Sequence, residues 1–174
     1  MEKIIIGWQE YVSLPELSIP SIAVKVDTGA KTSALHVQDL EPVAKKDSQP
    51  KVRFRVCLRP HDTPNGIPRQ IQQFCPDPAS ELPANDIVAI SPAIECPVVD
   101  YRSVTSSNGT PEDRYVIETV IMLGPHRWQT EITLADRHSM GFGMLLGRRA
   151  MESRIVVDPS QSYLYAQPSP VTVP

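Results

Sequence analysis

The residues with the clearest chemical promise are Asp27-Thr28-Gly29-Ala30, which end the apolar run Ala23-Val24-Lys25-Val26 and lead into Thr32 and Ser33. A strand that stops at Asp-Thr-Gly displays one carboxylate at its tip, and Gly29 lets the chain turn tightly beside it. Such a carboxylate can be half of a two-carboxylate acid–base site. The same three residues also suit an ordinary strand-ending turn. Downstream, Met144-Leu145-Leu146-Gly147-Arg148-Arg149-Ala150-Met151 is an apolar run, a glycine and a segment compatible with a short helix. On its own it reads equally as a buried strand entering a helix, which periodicity does not distinguish. Asp136, within Leu134-Ala135-Asp136-Arg137-His138, is the best internal candidate for a second carboxylate, although a turn aspartate paired with Arg137 explains its local sequence better.

The whole chain narrows the options. Its 174 residues suffice for one domain with its own core. A net charge of −3 offers no broad electrostatic footprint for nucleic acid. No apolar run is long enough to span a bilayer, and Ile4-Ile5-Ile6 is too short for a signal-peptide core, so no membrane association and a cytoplasmic location are expected. Cys57, Cys75 and Cys96 are odd in number and form no CxxC pair, which favours free thiols. Eighteen prolines against eight glycines limit long helices and point to a mostly-β chain with stiff loops. His36, His61, His126 and His138 show no short ligand spacing and no HExxH, so no metal or other cofactor is expected; a zinc site assembled in space, His36 with Cys57 or His138, stays open as an alternative. No GxxxxGK[ST] supports ATP binding.

The elements that must position Asp27 follow from patterning. Strands are expected over residues 3–12, 21–26, 32–40, 51–58, 98–104, 114–123 and 127–134, with one more over 69–74 in an otherwise looped, proline-rich stretch from 60 to 85. Lys51-Val52-Arg53-Phe54-Arg55-Val56-Cys57-Leu58 alternates basic and apolar residues most clearly, and its basic side reads as a solvated sheet face before it reads as a contact for an acidic ligand. Asn108-Gly109 is the strongest hairpin signal, and Gly124-Pro125 marks a second turn. A single domain over residues 1–166 is expected, with an inserted region at about 45–100 and a disordered tail at 167–174.

This order of parts resembles a retroviral-type aspartic peptidase (retropepsin). Asp27-Thr28-Gly29-Ala30 matches the catalytic loop, the hairpin around Asn108-Gly109 the substrate-covering flap, and Leu145-Leu146-Gly147-Arg148 the apolar-apolar-Gly-Arg element that packs beside the loop, with 149–152 as the short helix after it. Over residues 4–165 the chain is similar to bacterial retropepsin-like proteins that carry the label ATP-dependent zinc protease and are often encoded near ATP-grasp glutamate ligases. Ile6-Gly7-Trp8-Gln9-Glu10, residues 26–36, Val104-Thr105-Ser106-Ser107-Asn108-Gly109, Arg114-Tyr115-Val116-Ile117 and residues 140–148 carry that similarity.

The resemblance implies a closed or partly closed acid-protease β-barrel with one short C-terminal helix. It implies two carboxylates sharing one proton around a water, one acting as base and the other as acid. The chain holds one Asp-Thr-Gly, so the implied enzyme is a homodimer with Asp27 from each copy on the twofold axis. Thr28 would tie the two loops together, Gly29 and Ala30 would leave room for substrate backbone, and the Asn108-Gly109 flap would exclude water. Lys31 stands where retroviral enzymes carry an acid that pairs with the arginine of the glycine element. Arg148 would then be free, with Lys31, for an acidic peptide, unless Glu152 or Asp158 satisfies it. The expected function is an aspartic endopeptidase or amidase acting on an extended peptide or protein, acidic or glutamate-modified, with a functional link to a glutamate ligase. Two alternatives stand beside it: a peptide-binding module of the same fold without catalysis, and a metallopeptidase.

Overall fold

Strands make up nearly all the regular structure of the computed structural model, which describes residues 3–43, 49–58, 73–74, 89–105, 109–135 and 141–165, the side chains of 73, 74 and 89 excepted. In chain order they are β1 (Ile4–Ile6), β2 (Gln9–Leu14), β3 (Ile19–Val26), β4 (Ser33–Val43), β5 (Lys51–Leu58), β6 (Gln73–Phe74), β7 (Ala89–Ile90), β8 (Ile94–Pro97), β9 (Asp100–Thr105), β10 (Pro111–Leu123), β11 (His126–Ala135), β12 (Met144–Leu146) and β13 (Ile155–Val157). A 3-10 turn at Pro15–Leu17 joins β2 to β3, and one short helix, α1 (Arg148–Met151), follows β12. The chain is thus mostly β, as expected.

Six strands form a ring. β3 lies between β2 and β12, β12 also pairs with β4, β4 pairs with β11, and β11 pairs with β10. The ring closes thinly, through the single register pair Met122 and Ser13 between β10 and β2, so the barrel is partly closed. Its interior is aliphatic: Ile22, Val24, Leu35, Ile117, Ile132, Met144 and Leu146 are fully buried. Burying side chains of this kind is the main favourable contribution to folding. β3 is buried on both faces along most of its length, which explains why it reads as a continuous apolar run rather than an alternating one.

β5 behaves as its alternation predicts. Val52, Phe54 and Val56 point into the core, while Arg53 pairs with Glu41 and Glu95, and Arg55 with Asp39. The basic side is therefore a partly exposed sheet face covered by carboxylates of adjoining strands. The described part of the inserted region enlarges the sheet outward from β4: β5 pairs with β4 on one edge, and β7 and β8 follow one another along the other. Ser91 bridges the break between them, its hydroxyl accepting from Val56 N–H and donating to Pro92 O.

Three boundaries differ from the sequence expectation for visible reasons. The first expected strand is two. β1 pairs in parallel with β13, and the chain then breaks at Gly7, where a Cβ would lie 2.4 Å from Gln161 O. The strand expected at 98–104 starts later, because Val98 N–H bonds Pro50 O and Val99 N–H bonds Val116 O before the regular pairing of β9 with β10 begins. β4 runs on to Val43 across a bulge between Gln38 and Glu41, with Asp39 at φ 52°. The 3-10 turn, β8 and β13 carry no pattern that the sequence analysis singled out. Apart from β6 and residue 89, the stretch at 59–89, and with it most of the strand expected at 69–74, lies outside the described residues, as does the tail at 167–174.

Candidate active site

Asp27 sits one residue beyond β3, and its backbone is pinned by the element that the sequence singled out far downstream. β12 runs parallel to β3 with Leu146 beside Val26, and Asp27 N–H donates to Leu146 O at 2.9 Å. The side chain is half-buried. Its Oδ1 accepts from Gly29 N–H at 2.9 Å and Ala30 N–H at 3.0 Å. Two amides on one oxygen hold the carboxylate in a fixed orientation. Oδ2 takes no hydrogen bond among the described residues. Gly29 is open on its outer side, and a Cβ there would meet only Asp27 Oδ1, at 3.2 Å.

The far side of the loop rests on Gly147 and α1. A Cβ at Gly147 would lie 2.5 Å from Thr32 C, 2.7 Å from Thr32 O and 2.8 Å from Ser33 N, so only glycine lets the two backbones meet here. Gly147 N–H donates to Ser33 Oγ, and Thr133 Oγ1 donates to Ser33 O. Arg148 N–H bonds Ala30 O, and Arg149 N–H bonds Lys31 O. Leu146 is fully buried and Leu145, on the strand's other face, is half-buried. Sequence analysis named Leu145, Leu146 and Gly147 but not Ser33's hydroxyl or Thr133. The available signal was a polar residue inside each of two apolar strands.

Arg148 differs from expectation. Its guanidinium is not free: Nη1 donates to Thr28 O at 3.1 Å and Gly29 O at 3.2 Å. Among the described residues it forms no ion pair with Glu152 or Asp158; the Asp158 carboxylate instead takes the Ser160 hydroxyl and N–H. Arg148 thus clips the outer turn of the loop. Lys31 is exposed, with no side-chain partner among the described residues. Thr28 is exposed and Ala30 half-buried.

The hairpin arms β9 and β10 are regular up to the pair Thr105 and Pro111. Gly109 adopts φ +80° in open space, the conformation a tight hairpin turn asks of glycine. Asn108 and Asp136 lie outside the described residues. Trp8 was not assigned a role from sequence, although Gly7-Trp8 carried part of the resemblance. Its carbonyl accepts from Val26 N–H, its ring is 39 % exposed, and it meets Phe142 edge-on at 6.2 Å, so two aromatic rings flank the strand that carries Asp27.

No group of three His, Cys, Asp or Glu side chains among the described residues is placed to hold a metal ion. Val37 pairs with Val56, which makes His36 and Cys57 neighbours across β4 and β5, both buried, without a third donor among the described residues. His126 packs against Tyr165; His61 and His138 lie outside the described residues. No helix of the described residues is long and apolar enough to cross a membrane.

A solved Legionella pneumophila protein of unknown function, Lpg0085, superposes with a TM-score of 0.63 over 94% of this chain and 98% of its own at 20% identity, which shows a shared fold. Proteins named probable alpha-L-glutamate ligase are similar in sequence: one from Shewanella halifaxensis is 39% identical over 98% of this chain, one from Shewanella pealeana 40% over 92%, and one from Desulfotalea psychrophila 37% over 91%. The chain spans only 32%, 30% and 28% of those relatives. The RimB-like family model, described as retropepsin-like aspartic endopeptidase RimB, matches residues 5–72 and 83–168. With its Asp-Thr-Gly loop seated on a Leu-Leu-Gly strand, the chain belongs to the RimB-like family of retropepsin-like aspartic endopeptidases.

Proposed function

We propose that the chain is an aspartic endopeptidase or amidase in which Asp27 from two copies activates one water. The observation that carries this reading is the Asp27 loop. One carboxylate is oriented by two amides of its own turn, while the Leu146 carbonyl, the Gly147 contact and the Arg148 guanidinium fix that turn from behind. A water-activating pair needs such preorganisation, because two carboxylates a hydrogen bond apart share one proton only if neither can swing away. Thr28 and the open face of Gly29 are exposed, which leaves them for the partner loop and for substrate backbone. Extended substrate would lie strand-fashion beneath the hairpin of β9 and β10.

The substrate we propose is an acidic, glutamate-rich or glutamate-modified peptide. Lys31 is the exposed cation of the loop without a described partner, and relatives of this chain are named glutamate ligases. A peptidase that removes or trims what a ligase of the ATP-grasp type adds is a coherent pair of activities, and a protein carrying added glutamates is the shared substrate.

The test is cleavage of a peptide library enriched in glutamate, from about pH 4 to pH 8, by the wild-type protein and by Asp27→Asn, each with and without chelator. Cleavage lost on that one change and indifferent to chelator is the expected result. Equal cleavage by both proteins removes Asp27 from the mechanism. Chelator-sensitive cleavage points to a metallopeptidase, and peptide binding without cleavage by either protein points to the non-catalytic module.

A further inference from the structure

We propose that Glu131 is a positioning residue that holds the hairpin arm β9 against the loop carrying Asp27, through Arg102 on one side and Arg149 on the other. One oxygen, Glu131 Oε2, accepts from Arg102 Nη2 at 2.5 Å and from Arg149 Nη1 at 2.8 Å. The three residues come from three elements. Arg102 is on β9, Glu131 on β11, and Arg149 on α1. Arg149 is also the residue whose N–H bonds Lys31 O, so a single side chain and its own backbone join Glu131 to the Asp27 loop.

The cluster joins three elements, although Glu131 and Arg149 remain partly exposed. Among the described residues β9 pairs as a strand with β10 alone, and Arg102 links it by a side chain to a second barrel strand, β11. Arg102 Nε is buried and lacks a hydrogen bond; Asp100 Oδ2 lies 3.3 Å from it, within ion-pair range but not in bonding geometry. Glu131 therefore fixes the orientation of that guanidinium. Glu131 also faces Glu118 directly across the β10–β11 ladder, a like-charge pairing that is unfavourable in a sheet unless cations neutralise it. The Arg102 hydrogen bond, ahead of the opposing effect of burial, holds the Glu131 carboxyl below its ordinary range. Removing the charge would leave two guanidinia and a loosened hairpin arm. The consequence for catalysis rests on the peptidase reading; the positioning itself does not.

Amide hydrogen exchange on the whole chain tests it, with wild type, Glu131→Gln, Arg102→Gln and, as a control that removes one cation as Arg102→Gln does, Arg53→Gln. Glu131→Gln is expected to speed exchange on the order of fivefold in both residues 101–105 and 27–32, two segments remote in sequence. Arg102→Gln should speed 101–105 alone, and Arg53→Gln neither. Acceleration confined to β11, or absent from either segment, overturns the proposal. Should Glu131→Gln fail to fold, Arg102→Gln on the exposed arm still decides it, since unchanged exchange in 101–105 overturns the tether. With a cleaved peptide in hand, Glu131→Gln should raise KM by roughly threefold or more with a smaller change in kcat; a fall in kcat alone overturns the catalytic consequence. A wild-type protein that cleaves nothing defeats the peptidase reading while the exchange result stands.

Discussion

Gly147 leaves no room for a side chain, and that single fact couples the two halves of the site. A methyl there would push into the Thr32 carbonyl and the Ser33 nitrogen, which are backbone atoms and cannot rotate away. Gly147→Ala is therefore expected to separate β12 from the Asp27 loop and to destabilise the fold by about 1–3 kcal/mol, the usual cost of overpacking a tight contact. Urea unfolding would measure the loss. The Gly147 N–H bond to Ser33 Oγ should break with it, so peptide cleavage should fall further than stability alone predicts. An alanine variant with wild-type stability would mean that the loop has slack the contact does not suggest. Gly29 differs in kind: an added methyl would meet only the Asp27 carboxylate, so its effect would fall on chemistry before stability.

At the scale of elements, the segment after β13 is bound to the start of the chain by backbone hydrogen bonds (Trp8 N–H to Gln161 O, Tyr163 N–H to Gln9 O) and by one buried carboxylate. Glu10 is fully buried; its Oε1 accepts from Gly7 N–H and Leu164 N–H, and its Oε2 from Tyr165 N–H. Around it Tyr163 stacks on Tyr11, and Tyr165 packs on His126. Glu10→Gln keeps one accepting oxygen but turns an amide N–H₂ toward a backbone donor. The expected cost is about 1–3 kcal/mol, the range for leaving a buried donor unsatisfied, with faster proteolysis after residue 158. Unchanged stability would show that the segment is held by its backbone hydrogen bonds and aromatic contacts instead. This clamp was not legible in the sequence, because two of its three donors are backbone amides 154 and 155 residues from Glu10 and all three leave no side-chain pattern. The strands that alternate or run apolar were legible: β3, β5, β10 and β11 fall close to where periodicity puts them, because one or both faces are buried. So were the Asp-Thr-Gly turn and the Leu-Leu-Gly strand, whose side-chain requirements are local. What escaped was pairing between distant backbones. The break at Gly7 and the parallel contact of β1 with β13 belong to that class, and the capture of the Arg148 side chain by two loop carbonyls depends on backbone equally remote in sequence.

At the scale of the whole molecule, the proposed chemistry needs a second copy. The sequence contains one Asp-Thr-Gly, and the described loop directs both of its amide contacts to one oxygen of one carboxylate. The dimer we propose would use the apolar pair Ile5 and Val156, register partners on β1 and β13 that are 56% and 47% exposed. Exposed apolar groups gathered in this way favour association. If the active unit is a dimer sharing one site, specific activity must rise with protein concentration and then level off, by mass action. Subunit mixing gives a sharper test. With a ninefold excess of Asp27→Asn over wild type, random pairing leaves wild-type dimers as about one in a hundred, against one in ten when the proteins stay apart. The activity of the wild-type portion should then fall about tenfold after exchange. Activity that ignores the added variant would mean each chain works alone, and the second carboxylate would then have to come from within it, with Asp136 the first to substitute.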